Sequence, residues 1–371
     1  MHQYIVVSNE RREHLNFKFP MAGYVEAEKV NLGRAVLKGD FAKSCKDCFL
    51  RSYNYPILNQ TIEIKRQGDF AFIDLPTIEV PARDISFEVV LETDAQTVTP
   101  LFSCAMALTY RPENVVFVVG SPRSGTTAVG NAVQRAFDTV IHGESHLAEI
   151  IISLVESAQK ALLESPARNI DGMLVNEITP ADMQMNVIQL LKRLHRQFYG
   201  DSLVLDKTPG GPNIQALWLM LRAYPNAKVI FCKRRGIENV ISRVKKFPQV
   251  GFDVHCIQWR QTFIVWGQAV RLNTRELCAK DWHFEIDQFR LACEPDAITK
   301  ELSDWLGLSE VQQQRALEYL QYQSPQKTSD YKKALDFDEL EWSQEQKQVF
   351  IDTCGEQMEK QGYSLGSDYF A

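Results

Sequence analysis

Along the first 112 residues the apolar positions fall into short β-like runs, at 4–7, 15–19, 61–65, 70–75, 85–92 and 102–110. Clusters such as Asn54-Tyr55-Pro56 and Gln67-Gly68-Asp69 part them, as turns part strands. This pattern predicts a small mainly-β, sandwich-like domain over 1–112. The run at 85–92 alternates in part, which predicts one buried and one wet face. After Arg111-Pro112-Glu113 the pattern changes, and the proline marks the boundary of a second domain over 113–371. There, continuous apolar blocks at 115–119, 203–205 and 228–232 read as strands buried on both faces of a parallel sheet.

Helical periodicity fills the intervals. The segment 147–161 places Leu147, Ile150, Ile151, Leu154 and Val155 on an inner face. The segment 183–198 turns Val187, Leu190, Leu191 and Leu194 inward and leaves Lys192, Arg193 and Arg196 to solvent. Helices are also predicted over 259–270, whose two tryptophans read as core, and over 297–308, closed by Gly307. The region between 165 and 177, with Pro166 and Gly172, reads as a loop, and the tail as polar helix anchored by Leu317, Leu320 and Phe350.

The chemistry concentrates where the strand at 115–119 ends. Gly120-Ser121-Pro122-Arg123-Ser124-Gly125-Thr126-Thr127 supplies two glycines and small side chains before a helix begins, so successive N–H groups are free to curl around an anion. The spacing G-x-x-x-x-G fits a P-loop, but Thr126 stands where a nucleotide triphosphatase places its lysine. The charge lies inside the loop instead, at Arg123. That argues against a triphosphate and its Mg²⁺ and for a shorter phosphate carrying a group to be moved.

Composition narrows the choice of partners. The chain has 371 residues, 45% of them hydrophobic and 24% charged, enough for one large α/β domain and a smaller one. A net charge of −6 gives no global attraction for nucleic acid, so an anion site must be local. The amino terminus lacks the apolar core of a secretory signal, and no stretch reaches the ~18 uninterrupted apolar residues of a membrane helix. A cytoplasmic protein without a transmembrane segment is expected. Of the eight cysteines only Cys45 and Cys48 are closely spaced, which reads as ordinary reduced thiols.

The loop with its strand and helix resembles the 5′-phosphosulfate loop of sulfotransferases. A second site supports the resemblance: the strand at 228–233 runs into Arg234-Arg235-Gly236, with Ser242 eight residues after Arg234, similar to the family's 3′-phosphate element. The family fold that this implies is an α/β, P-loop-like three-layer sandwich with a mostly parallel sheet and the ligand at the strands' carboxyl ends. The implied co-substrate is 3′-phosphoadenosine 5′-phosphosulfate (PAPS), leaving 3′-phosphoadenosine 5′-phosphate (PAP), without a metal. Ser121, Arg123, Ser124, Gly125, Thr126 and Thr127 would hold its 5′ end, and Arg234 with Ser242 its 3′ end. Arg235-Gly236 departs from the Asn/Asp-Pro of many relatives, which adds charge to the turn.

The resemblance places Lys207, at the end of the second strand, on the transferring group. Glu144 is implied as the base that takes the acceptor's proton, with His146 and His142 as rivals. In the family this segment ends a strand, here the apolar run at 139–141. Glu285 belongs to a supporting strand, binding backbone or arginine. The segment 324–333 is implied to close over the 3′ end. The acceptor is a small molecule or glycan, the latter suggested by the β module. Two alternatives remain at this point. Asp206 as a Walker-B ligand would make a metal-dependent kinase or ATPase, and a nucleotide- or glycan-binding protein without catalysis would carry the same loops.

Overall fold

The computed structural model describes residues 1–8, 15–25, 28–80, 82–93, 98–139, 142–277, 281–323 and 333–371. The apolar residues at 140 and 141 and nearly all of the 324–333 segment fall outside these. The β-like runs form two antiparallel sheets. One has six strands in the order Ala22–Val25, His2–Ser8, Val98–Leu108, Ile85–Thr93, Cys45–Arg51 and Gln60–Ile62. The other has four, in the order Leu15–Phe17, Arg34–Lys38, Phe70–Asp74 and Ile64–Gln67. Val6, Phe87 and Phe102 of the first share a core with Leu37 and Ile73 of the second, giving the sandwich.

The six-stranded sheet is covered on its other face as well. Ile5, Val7, Ala105 and Ala107 join a core that includes Ile188, Leu191, Leu219 and Met220. The Ala181 amide donates to Ser103 Oγ at 3.1 Å, pinning the helix Pro180–Tyr199 across this face. The wet face expected for 85–92 is therefore buried: Ser86 and Glu88 lie inside, the latter paired with Arg51 at 3.1 Å. The last antiparallel strand ends at Leu108 and the first parallel strand begins at Asn114, yet residues from both sides of that junction share one core.

That covering helix corrects a second expectation. Its inward arc holds Ala181, Gln184, Met185, Ile188, Leu191, Lys192 and His195, while Leu190 is partly exposed. Lys192, expected in solvent, is fully buried. Its Nζ donates to Gln3 Oε1 at 2.8 Å and to the Tyr24 hydroxyl at 3.2 Å, and lies 4.9, 5.6 and 5.3 Å from the rings of Tyr24, Tyr110 and Tyr224. Local periodicity misses this because the principal partner stands 189 positions away, on the antiparallel sheet. Burial without a carboxylate lowers the Lys192 pKa to about 7. On the helix Leu147–Leu163, likewise, Ile151 and Val155 are buried but Ile150 and Leu154 are 55% and 43% exposed, outside the arc that packs.

The second sheet is wholly parallel, in the order Leu203–Lys207, Asn114–Gly120, Lys228–Lys233 and His283–Asp287. Its central strand explains the uninterrupted apolar block. Val115, Phe117 and Val119 face one helical layer, and Val116 and Val118 face the other with Val129, Val133, Ile298 and Leu302. Each such side chain contributes about 1.5–3 kcal/mol on burial. Trp259 and Trp266 are core, as the sequence predicts. Because the chain leaves the central strand for one neighbour and then the other, a crevice opens beyond its carboxyl end. Among the described residues, no helix is long and apolar enough to cross a membrane.

Candidate active site

The crevice is floored by the glycine loop. Gly120 has φ +149°, and a Cβ there would stand 2.2 Å from the Cys232 carbonyl oxygen of the next strand, so only glycine fits. Gly125, at φ +89°, lets the chain turn into the helix Thr126–Ala136, whose first amides are unspent within the helix. Thr126 is buried at the first helical position and Thr127 is half-buried behind it. Ser121 and Ser124 are both buried, and one side chain fastens them. Asn239 accepts from Ser121 Oγ at 3.3 Å and donates to Ser124 Oγ at 3.0 Å and the Pro122 carbonyl at 3.1 Å.

Asn239 lies on the helix Gly236–Lys246, so the two phosphate elements that the sequence singled out are physically joined. Arg123 Nε donates to Ser242 Oγ at 3.1 Å, and Arg234 Nη1 donates to the Arg123 carbonyl at 3.1 Å. Arg234 is 7% exposed, and its Nε has no partner among the described residues. Burial depresses its pKa, which marks a cation held short of counter-charge. Arg243 is similarly placed: its Nη1 reaches Ser121 Oγ at 3.4 Å, it binds Gln258, and burial lowers its pKa to about 10.

Arg235 turns the opposite way. It is fully buried and pairs with Glu238, and it donates to the carbonyls of Leu335, Ser364 and Gly366 at 2.6, 3.2 and 2.7 Å. Its amide donates to the Tyr369 hydroxyl at 2.8 Å. The charge expected to enrich the turn is spent on the tail instead. Gly236 packs tightly beside it: a Cβ would approach Met358 Sδ at 3.1 Å and Phe350 at 3.2 Å.

Lys207 ends the neighbouring strand and passes over the loop helix at Gly130, where a Cβ would stand 2.7 Å from Lys207 Cδ. The lysine is 7% exposed, and its ammonium makes no hydrogen bond to any described residue. Burial lowers its pKa, and the nearby Glu144 carboxylate raises it. Asp206 is occupied otherwise: Oδ2 accepts from Ser145 Oγ at 2.5 Å and Oδ1 from Thr208 Oγ1 at 2.7 Å. Both carboxylate oxygens therefore serve to strap the 144–147 loop to the strand end. The supporting strand's Glu285 binds Lys233 at 2.8 Å and Trp266 Nε1 at 2.7 Å rather than arginine.

On that strap stand Glu144 and His146. Both are partly exposed, and Nε2 of His146 lies 3.5 Å from Glu144 Oε2. His146 Nδ1 lies 3.0 Å from Glu149 Oε1, and the Glu149 carboxylate above all raises its pKa. His142 is drawn away, with Nε2 at 3.1 Å from the Phe198 carbonyl and its ring edge-on to Tyr199. Of the three non-glycine residues with positive φ among those described, two stand in this crevice: Arg123 at 74° and His146 at 52°. Backbone held there is a common mark of a working site.

Sequence reasoning missed Asn239, Arg243, Gly130 and Glu149. The signal for the first two was present as polar residues on the arc that Ile237 and Val240 turn inward. For Gly130 and Glu149 the reason lies in partners on other strands and helices.

Comparison with known proteins gives the family. The profile of the Sulfotransferase family matches residues 115–313. An uncharacterized protein of Aquifex aeolicus is 26% identical over 229 residues, covering 58% of this chain but 28% of that protein. The chain thus matches little more than a quarter of that relative's length. Similar solved structures include the sulfotransferase domain of the Synechococcus PCC 7002 olefin synthase, with 18% identity, coverage of 60% and 80% of the two chains and a TM-score of 0.38. Sulfotransferase STF9 from Mycobacterium avium is 14% identical, with coverage of 68% and 77% and a TM-score of 0.40.

Proposed function

The chain belongs to the sulfotransferase family, a family of sulfuryl-transferring enzymes, and from that premise we propose that its donor is PAPS and its acceptor a hydroxyl, or an amine, of a small molecule or glycan. One observation carries the reading. Arg234, more than nine-tenths buried, keeps its Nε without a partner among the described residues beside the glycine loop, and Lys207, 7% exposed, lies over the loop helix with no hydrogen bond from its ammonium to any described residue. Burying a cation is costly unless an anion compensates it. A nucleotide with phosphates at both 3′ and 5′ positions supplies two.

Arg234 and Ser242 would hold the 3′-phosphate. The amides of Gly125 to Thr127, with the hydroxyls of Ser121, Ser124, Thr126 and Thr127, would hold the 5′ end, the Ser124 amide being spent on the Ser121 carbonyl at 3.1 Å. Arg123 lies between the two. As the acceptor oxygen bonds to sulfur, the bond from sulfur to the 5′-phosphate oxygen breaks, and the electron pair stays on that oxygen. Lys207 and Arg123 would stabilise the charge developing there. The acceptor's proton goes to Glu144. His146 is the poorer base, because carboxylates at both ring nitrogens favour its protonated form.

Calorimetry tests the donor. PAP should bind far more tightly than ADP or ATP, and Arg234→Ala should weaken PAP by about a hundredfold through loss of a charge-assisted fork. Equal affinity for all three nucleotides, or an unchanged Kd in the variant, would overturn the assignment.

A further inference from the structure

The acceptor-side loop carries a hydrogen-bonded chain that the transfer just described leaves unexplained. Asn213, 3% exposed, donates its Nδ2 to Glu149 Oε1 at 2.7 Å. The same oxygen faces His146 Nδ1 at 3.0 Å, and on the far side of the ring Nε2 faces Glu144 Oε2 at 3.5 Å. A carboxylate accepts hydrogen bonds and donates none, so a ring with one at each nitrogen acts as a double donor.

The ring is also held from behind. The amides of Ser145 and His146 both point at Thr208 Oγ1, at 3.2 and 3.4 Å, and Thr208 is itself tied to Asp206. With φ at 52°, His146 adopts a backbone conformation that a non-glycine residue rarely takes. The loop thus accepts local strain to present an imidazole edge to Glu144. Glu149 and Asn213 lie on the opposite side of that imidazole, on the helix Leu147–Leu163 and the short helix Gly211–Gln215.

Resting on the reading of Glu144 as the base, we propose that Glu149, braced by Asn213, is a positioning residue for the transfer: it aims His146 so that Nε2–H donates to Glu144 Oε2, leaving the other oxygen of that carboxylate to take the acceptor's proton. Without Glu149 the ring is free to turn, and Glu144 loses the donor that orients it. The charged groups facing the ring are Glu144 and Glu149. Asn213 and Thr208 are neutral, and Lys207 acts on Glu144 from the strand end. Because Glu149 holds the imidazolium to higher pH than a free histidine, its removal shifts the loss of that proton to lower pH.

The test uses Glu149→Gln and Glu149→Asp, at a position 38% exposed, where neither change disturbs packing. NMR of the imidazole Cε1–H, assigned by its disappearance in His146→Asn, reads the ring directly. Its midpoint should fall by about one pH unit in Glu149→Gln and by less in Glu149→Asp. In parallel, PAP release from PAPS with water as acceptor should show kcat reduced about tenfold to a hundredfold in Glu149→Gln. The donor KM should be unchanged, the alkaline limb of the rate profile should move to lower pH, and Glu149→Asp should recover part of the rate. An unmoved His146 midpoint, or a kcat loss equal at every pH, overturns the proposal. Wild-type protein that releases no PAP would instead count against the transfer reading, and the NMR arm then decides this inference alone.

Discussion

Two buried lysines in this molecule have opposite surroundings. Lys192, between the antiparallel sheet and its covering helix, is surrounded by a glutamine oxygen, a phenol and three aromatic faces. Lys207, at the edge of the crevice, has none of these, and no described group accepts from its ammonium. The first has protein acceptors for its donors, so it works as a tie between the covering helix and the antiparallel sheet. The second has only the nearby Glu144 carboxylate, and we propose that an arriving anion supplies the rest. For a buried cation, the partners it lacks say more about function than its depth does.

The comparison breaks first at Lys207. Lys207→Met keeps the volume and removes the charge, and should lower the rate of sulfuryl transfer by about 10²–10³-fold, the cost of one preorganised electrostatic donor. Stability should hold or rise, because a charge that burial disfavours, with no hydrogen bond to any described residue, has been removed. A large loss of stability in a melting experiment, with transfer intact, would make Lys207 a second Lys192. Gly130→Ala probes the same lysine from below. The added methyl displaces the Lys207 stem, so transfer should fall about tenfold by misplacement of a charged group. The helix itself gains up to about 1 kcal/mol of propensity. Activity and stability should therefore move in opposite directions.

The smallest effect is expected at Lys192. Lys192→Met should leave transfer within about twofold, since volume-conserving changes away from the site are well tolerated. Its signature lies in pH dependence. The folded-state pKa of about 7 lies below the ordinary 10.5, so between those values the unfolded chain holds a proton that the folded chain has released. Stability from this group therefore rises with pH across that window, by up to ~1.4 kcal/mol per pH unit. Denaturant unfolding at pH 7 and pH 9 should show this rise in the wild type and a flatter response in Lys192→Met.

Much of the candidate anion site could be read from the sequence because it is local. The strand, the glycine loop and the helix follow one another in the chain, and Ser242 follows Arg234 closely, on the helix that begins at Gly236. The parallel sheet was legible too, since strands buried on both faces leave uninterrupted apolar blocks. What the sequence hid is relational. Lys192 and Arg235 look like surface cations until Gln3 and Ser364 are brought beside them. Ile150 and Leu154 look like core until the helix is seen to pack on Ile151 and Val155. The sandwich was foreseen, but the wet face of 85–92 was not to be, because a helix of the following region covers it. On the acceptor side, Glu144 and His146 compete by residue type alone, and our proposal of Glu144 draws on the carboxylates that flank the imidazole.

Arg235 carries a consequence for how the protein comes into being. A ribosome delivers the glycine loop well before Tyr369, yet the amide beside Arg234 is held by that tyrosine and the next guanidinium by the carbonyls of Leu335, Ser364 and Gly366. A nascent chain therefore owns the cradle long before it owns the brace that sets the second arginine. The turn at Arg234 and Arg235 is braced only after Tyr369 has been made, and a chain halted before that residue has the loop without this brace.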